Sequence, residues 1–198
     1  MTASNNKLRM MIVTALFAAI IGILAQVTIP LPLVPITGQT LAIGLAATIL
    51  GARYGTLSIL VYLAIGAAGI PVFAQMSGGM GSLFGPTGGY LFGFIPTAFV
   101  IGYYLEKMGF TVMNAIIANI LGMFVALTFG TVWLKIIAEL SWTGAFMGGF
   151  APFVLVGVIK AMLAAWIGIS VRNRLASAKL LQGLETQNHS SQKTTSSH

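Results

Sequence analysis

The chain contains no cysteine and no aspartate, and only three acidic residues, Glu106, Glu139 and Glu185. Without cysteine there is no disulfide, no thiolate nucleophile and no thiolate-held cluster. The two histidines, His189 and His198, both fall in a polar C-terminal stretch, where they read as solvated side chains and not as metal ligands. Hydrolytic and redox mechanisms need a base, a nucleophile or a metal cluster, and the apolar runs hold no Asp, Glu, His or Cys. Neither GGMGSL nor GPTGG completes the phosphate loop G-x-x-x-x-G-K-[ST], and no G-x-G-x-x-G opens a helix. The residues therefore predict a protein that is not an enzyme, binds no metal or cofactor, and does not itself hydrolyse ATP.

Charge is equally scarce. Charged residues make up 7% of the 198 positions and hydrophobic ones 57%, with a mean hydropathy of +0.95. Soluble domains carry about a quarter charged residues, so this composition cannot build a water-exposed surface and implies an integral membrane protein. The net charge of +7 comes from basic residues placed singly at the ends of apolar runs. That placement marks membrane topology and argues against nucleic acid as a partner.

Taken in order, the apolar runs predict an all-α membrane protein of six transmembrane helices. They are 10–29, 40–52, 54–68, 88–105, 110–133 and 147–171, where about 20 residues suffice to cross a bilayer. The first run follows Lys7 and Arg9 but has no clean cleavage site, so it reads as a retained helix. The second and third are short and adjacent, which predicts a tight hairpin around Arg53 or two tilted half-lengths. With six spans, Lys7, Arg9, Arg53, Lys107, Arg172, Arg174 and Lys179 share the side of the N-terminus and Lys135 alone faces the other. The positive-inside rule then places both termini in the cytoplasm. The proline-rich loop 30–39, the glycine-rich segment 71–94 and the turn 141–149 all face outwards. Residues 1–180 read as one membrane domain and 181–198 as a polar, disordered tail, whose terminal Ser-Ser-His is compatible with a cloning remnant.

Segment 71–94, PVFAQMSGGMGSLFGPTGGYLFGF, carries no charge but six glycines from Gly78 to Gly89. That density disfavours a helix interior, and irregular backbone at a membrane survives only inside protein or beside a cavity. The segment therefore reads as the wall or cap of a pocket. Lys160 lies near the middle of FAPFVLVGVIKAMLAAWIG, where a cation costs about 2.5–3.5 kcal/mol on insertion scales. No acid in the spans can pair with it. Helix-end carbonyls or a water-filled surface could satisfy the ammonium, and an anionic ligand entering from outside could complete an ion pair. Thr37, Gln39 and Thr40, then Gln75, Ser77, Thr87 and Tyr90, and Asn119 supply neutral polar groups suited to an amide- or urea-like ligand. Phe73, Phe84 and Tyr90 are candidates to stack on a ring. Ala15 and Ala19 in the first run are spaced to let another helix approach closely, within the fold or from a partner.

The stretches PLPLVPITGQTLAIGLAA, GAAGIPVFAQMSGGMGSLFGPTGGYLFGF and PFVLVGVIKAMLAA resemble the BioY family of biotin transporters across residues 9–174. These are the substrate-binding S components of energy-coupling factor transporters. The resemblance implies a six-helix fold in the cell membrane that captures biotin from outside. It also implies a transmembrane coupling subunit and two cytoplasmic ATPases as partners, with ATP used by those ATPases alone. Biotin's carboxylate would match Lys160, its ureido ring the amide-type residues, and Ala15 and Ala19 the coupling subunit. One position departs: the family pattern favours an aspartate three residues before the lysine, and here stands Gly157, one helical turn away on the same face. A self-sufficient biotin carrier, or an S component for another small anionic vitamin, are the alternatives.

Overall fold

The computed structural model describes residues 3–178 and is a helical bundle with its long connections gathered at one end. Helix α1 (Ala3–Ala25) leads into a short antiparallel hairpin, β1 (Thr28–Ile29) with β2 (Ile36–Thr37). Then follow α2 (Gln39–Ala67), α3 (Met80–Phe84), α4 (Gly88–Met108), α5 (Val112–Ile137), α6 (Trp142–Gly149) and α7 (Ala151–Ser177). Among the described residues, five stretches are long and apolar enough to cross a membrane: α1, α2, α4, α5 and the run α6–α7. Helix α4 lies between α2 and α5, α1 packs on α2, and α7 packs on α2 and α5. The core runs through all of these except α6, with Tyr62, Phe73 and Met10 the bulkiest fully buried side chains.

Helix α2 is not one rod. At Gly51 the backbone takes φ 77° and ψ −173°, and the chain folds back on itself. Gly55 packs against Ala47, where an added Cβ would sit 2.8 Å from the Ala47 Cα. Gln39 Nε2 donates to the Tyr62 hydroxyl at 2.6 Å, although the two residues would lie about 34 Å apart along a straight helix. The two arms, 39–50 and 52–67, are thus antiparallel. This is the hairpin that the sequence predicts, with its turn at Gly51 and not around Arg53. The turn needs a positive φ, which glycine adopts without strain; Arg53 is already part of the second arm.

Two charged side chains fasten this turn. Glu106 Oε1 accepts the Ala52 N–H at 2.8 Å. Arg172 donates to the Ile49 carbonyl, and its guanidinium lies 3.4 Å from the centre of the Phe110 ring.

Other boundaries differ from expectation for identifiable reasons. The first helix stops at Ala25 because the chain enters the β-hairpin there. The sixth run is broken at Phe150, and Pro152 starts α7 in the first turn, where its missing N–H costs nothing. The glycine-rich segment is not wholly irregular. It contains α3 and a 3-10 turn over Ala74–Met76. The polar tail 181–198 lies outside the described residues.

Candidate ligand-binding site

The connections 26–38, 68–87 and 138–150 lie at one end of the bundle, where the first two help to line a cavity of about 310 Å³. That volume is at the small end of the range for small-molecule sites. Four helices and two loops supply the wall. The hairpin loop gives Leu31 to Pro35, α2 begins it with Gln39, Thr40 and Ile43, and the glycine-rich segment adds Phe73 to Gln75, Ser77, Pro86 and Thr87. Helices α4, α5 and α7 contribute Tyr90, Asn119 and Lys160 with their apolar neighbours.

Of the residues the sequence singles out for a ligand, Lys160, Tyr90, Gln39, Thr37, Asn119, Thr87, Gln75, Phe73 and Gly157 all line this cavity. Phe84 does not. It is 56% exposed and leans on Phe92 on the outside of α3 and α4. The short helix α3, unforeseen in so glycine-rich a stretch, turns it away. Ala15 and Ala19 lie on the exposed side of α1, with Met11, Ile12 and Leu16 around them.

Among the described residues lining the cavity, Lys160 carries the only formal charge and none is a carboxylate. Its ammonium is not left without partners: it donates to the Thr37 carbonyl at 2.6 Å and reaches the Thr40 hydroxyl at 3.4 Å. A backbone carbonyl carries a partial charge only, so these contacts hold the cation in place without neutralising it. At Gly157, a turn earlier, an added Cβ would press on the Met123 sulfur. The position where the family pattern has aspartate is thus an apolar corner here.

Thr37 sits at the head of a buried polar chain. Its hydroxyl donates to Gln39 Oε1 at 2.8 Å, and Gln39 Nε2 donates to the Tyr62 hydroxyl at 2.6 Å. Tyr62 then meets Phe73 edge-on, with ring centroids 5.4 Å apart. Phe73 is only 2% exposed and occupies space that any side chain at Gly66 would fill. On the opposite wall the Tyr90 hydroxyl donates to the Gly149 carbonyl at 2.5 Å, leaving its ring beside Phe153 to face the cavity. Asn119 donates both amide hydrogens, to Thr48 Oγ1 at 3.0 Å and to the Ala115 carbonyl at 2.8 Å. Its Oδ1 is the group it can still offer. The site therefore combines one held cation, a set of oriented amides and hydroxyls, and aromatic walls.

Sequence reasoning missed several lining residues. Phe153, Val156, Gly157 and Lys160 follow one face of α7 at helical spacing, so Phe153 was legible from Lys160. The loop 31–35 was read as outward-facing but given no part in the site. Gln26, outside the lining set, was not singled out, yet it bonds to the Phe73 carbonyl and the Met76 N–H.

The fold and cavity define a class: a multi-pass membrane protein with a small-molecule-sized cavity at one end of its helices. The BioY family model matches residues 1–177, and the chain belongs to that family. The chain is 42% identical over 172 residues to the biotin transporter BioY2 of Lactococcus lactis subsp. cremoris, covering 87% of this chain and 94% of the relative. It is 39% identical over 165 residues to the biotin transporter BioY of Thermotoga maritima, covering 83% and 96%. A crystal structure of the S-component for biotin from an ECF-type ABC transporter superposes with a TM-score of 0.80 at 30% identity, covering 87% of this chain and 95% of that one. The resemblance drawn from the sequence motifs is therefore correct at family level, and the protein resides in the cell membrane.

Proposed function

We propose that this protein is the biotin-binding S component of an energy-coupling factor transporter, a capture subunit and not an enzyme. The observation that carries this reading is Lys160, a single cation in an otherwise neutral cavity with no carboxylate among the described residues of its wall. Biotin's carboxylate takes the ammonium, while Gln75, Thr87 and Asn119 are placed for the ureido group. Phe73, Tyr90 and Phe153 flank the apolar body. Gln39 and Thr37 orient the ammonium's carbonyl partner, and Gly157 lets the Met123 side chain lie against α7.

With the two arms of α2, about 18 and 24 Å of helix, counted as separate crossings, the reading is six spans with the cavity outside and both termini in the cytoplasm. The basic residues support this, because Arg53, Lys107 and Arg172 cluster at the Gly51 end and Lys135 lies at the cavity end. The exposed Ala15 and Ala19 form a docking strip for a transmembrane coupling subunit, itself driven by two ATPases.

Titration of the purified protein with biotin, together with mass spectrometry of copurified small molecules, tests the ligand. Saturable biotin binding is expected, and its absence refutes the reading. Replacing Ala15 and Ala19 by bulky residues is expected to spare binding and abolish assembly with the coupling subunit. Uptake of biotin by the protein alone in empty vesicles would favour a self-sufficient carrier.

A further inference from the structure

Residues 73–77 form a miniature hairpin in the cavity wall. The Phe73 N–H donates to the Ser77 carbonyl at 2.9 Å, and the Ser77 N–H and hydroxyl both donate to the Ala74 carbonyl, at 3.2 and 2.7 Å. At its tip, Gln75 and Met76 hold φ of 58° and 55°, a left-handed pair without glycine. Two consecutive residues in that region persist only where the surroundings hold them. The tip has few apolar contacts to do so, since Met76 is 66% exposed.

The hold comes from one side chain. Gln26, just past the end of α1, donates to its own helix at the Gly22 carbonyl (3.1 Å) and to the Phe73 carbonyl (3.0 Å), and its Oε1 accepts the Met76 N–H (2.9 Å). A single amide thus grips the hairpin from both sides of its tip and ties it to α1. Beyond the hairpin, the Gly79 N–H is fixed on the Gly66 carbonyl at 2.7 Å, so the part free to swing lies between the Phe73 side chain and Gly79.

We propose that Gln26 is a positioning residue that latches the 73–77 hairpin shut as the movable wall of the cavity, with its grip anchored on α1. The inference rests on the biotin-capture reading for its ligand but not for the latch itself. Because the same helix exposes Ala15 and Ala19, a displacement of α1 by a docked partner would pull on the latch.

The test uses the full chain in lipid nanodiscs with the variants Gln26→Leu and Gln26→Glu. Hydrogen exchange in ligand-free protein is expected to show the Met76 amide protected in the wild type and exposed in Gln26→Leu, with Gln26→Glu intermediate because it keeps the acceptor. For bound biotin, Gln26→Leu should raise the dissociation rate about tenfold while the association rate changes little, as expected for losing two hydrogen bonds that matter only in the closed state. Equal exchange at Met76 in all three proteins would overturn the latch whatever the ligand is. Altered exchange with an unchanged biotin dissociation rate would overturn its role as the wall. Failure of the wild type to bind biotin at all would instead count against the ligand assignment, and the exchange result would still decide the latch.

Discussion

At the Gly51 end, the break in α2 is fastened by Glu106 on the Ala52 N–H and by Arg172 on the Ile49 carbonyl. At the cavity end, the breaks are held by the neutral amides of Gln26 and Gln39 and by one ammonium resting on the Thr37 carbonyl. The first set uses full charges on backbone groups at a tight turn, with side chains packed up to the glycine. The second uses weaker, mostly neutral bonds around an open volume. Hydrogen bonds to charged groups are about twice as strong as neutral ones, so the contrast separates an end built to stay closed from an end able to exchange partners. Stability should reside at the turn, and ligand response at the cavity.

Four substitutions test that division, beginning with the largest effect. Lys160→Ala should weaken biotin binding by about 2–5 kcal/mol, the range for truncating one member of a buried, hydrogen-bonded charge pair; titration reads it, and unchanged affinity removes the lysine from its role. Glu106→Ala orphans the Ala52 N–H and should lower stability by about 1–3 kcal/mol. Thermal unfolding should show that loss while biotin affinity holds, and a large loss of affinity would erase the distinction between the ends. Tyr62→Phe removes the acceptor that orients Gln39 and should cost roughly 1 kcal/mol of affinity, a several-fold change in the titration. Phe84→Ala, on the outer surface, should leave affinity within about twofold; a larger effect would return that ring to the site.

The parts of the fold written in residue type were legible in advance. Apolar runs and lone basic residues mark the long helices, and a lysine amid apolar residues points to the cavity because its burial has an unavoidable cost. Proline at 30, 32 and 35 marks the exit from α1, but nothing in it separates a loop from the two-residue strands that pair Thr28 with Thr37. The partner of Lys160 was illegible because a backbone carbonyl is offered by every residue, and only the fold selects that of Thr37. Gln26 was passed over for a similar reason. Its partners are the main-chain groups of Phe73 and Met76, 47 and 50 residues away. Phe84 misled because aromatic character was visible while the single turn and a half of α3 that points it outwards was not.

The rest position of the Lys160 ammonium has a consequence for selectivity. An incoming solute does not meet a bare cation; it meets an ammonium pinned on the Thr37 carbonyl at 2.6 Å with a further N–H donor left to give. An ester or amide of the vitamin brings that donor only a second neutral oxygen and leaves the positive charge unbalanced. The free acid alone offers an oxygen with a whole negative charge, so masked carboxyl groups are disfavoured because the Thr37 carbonyl fixes where the positive charge sits without cancelling it.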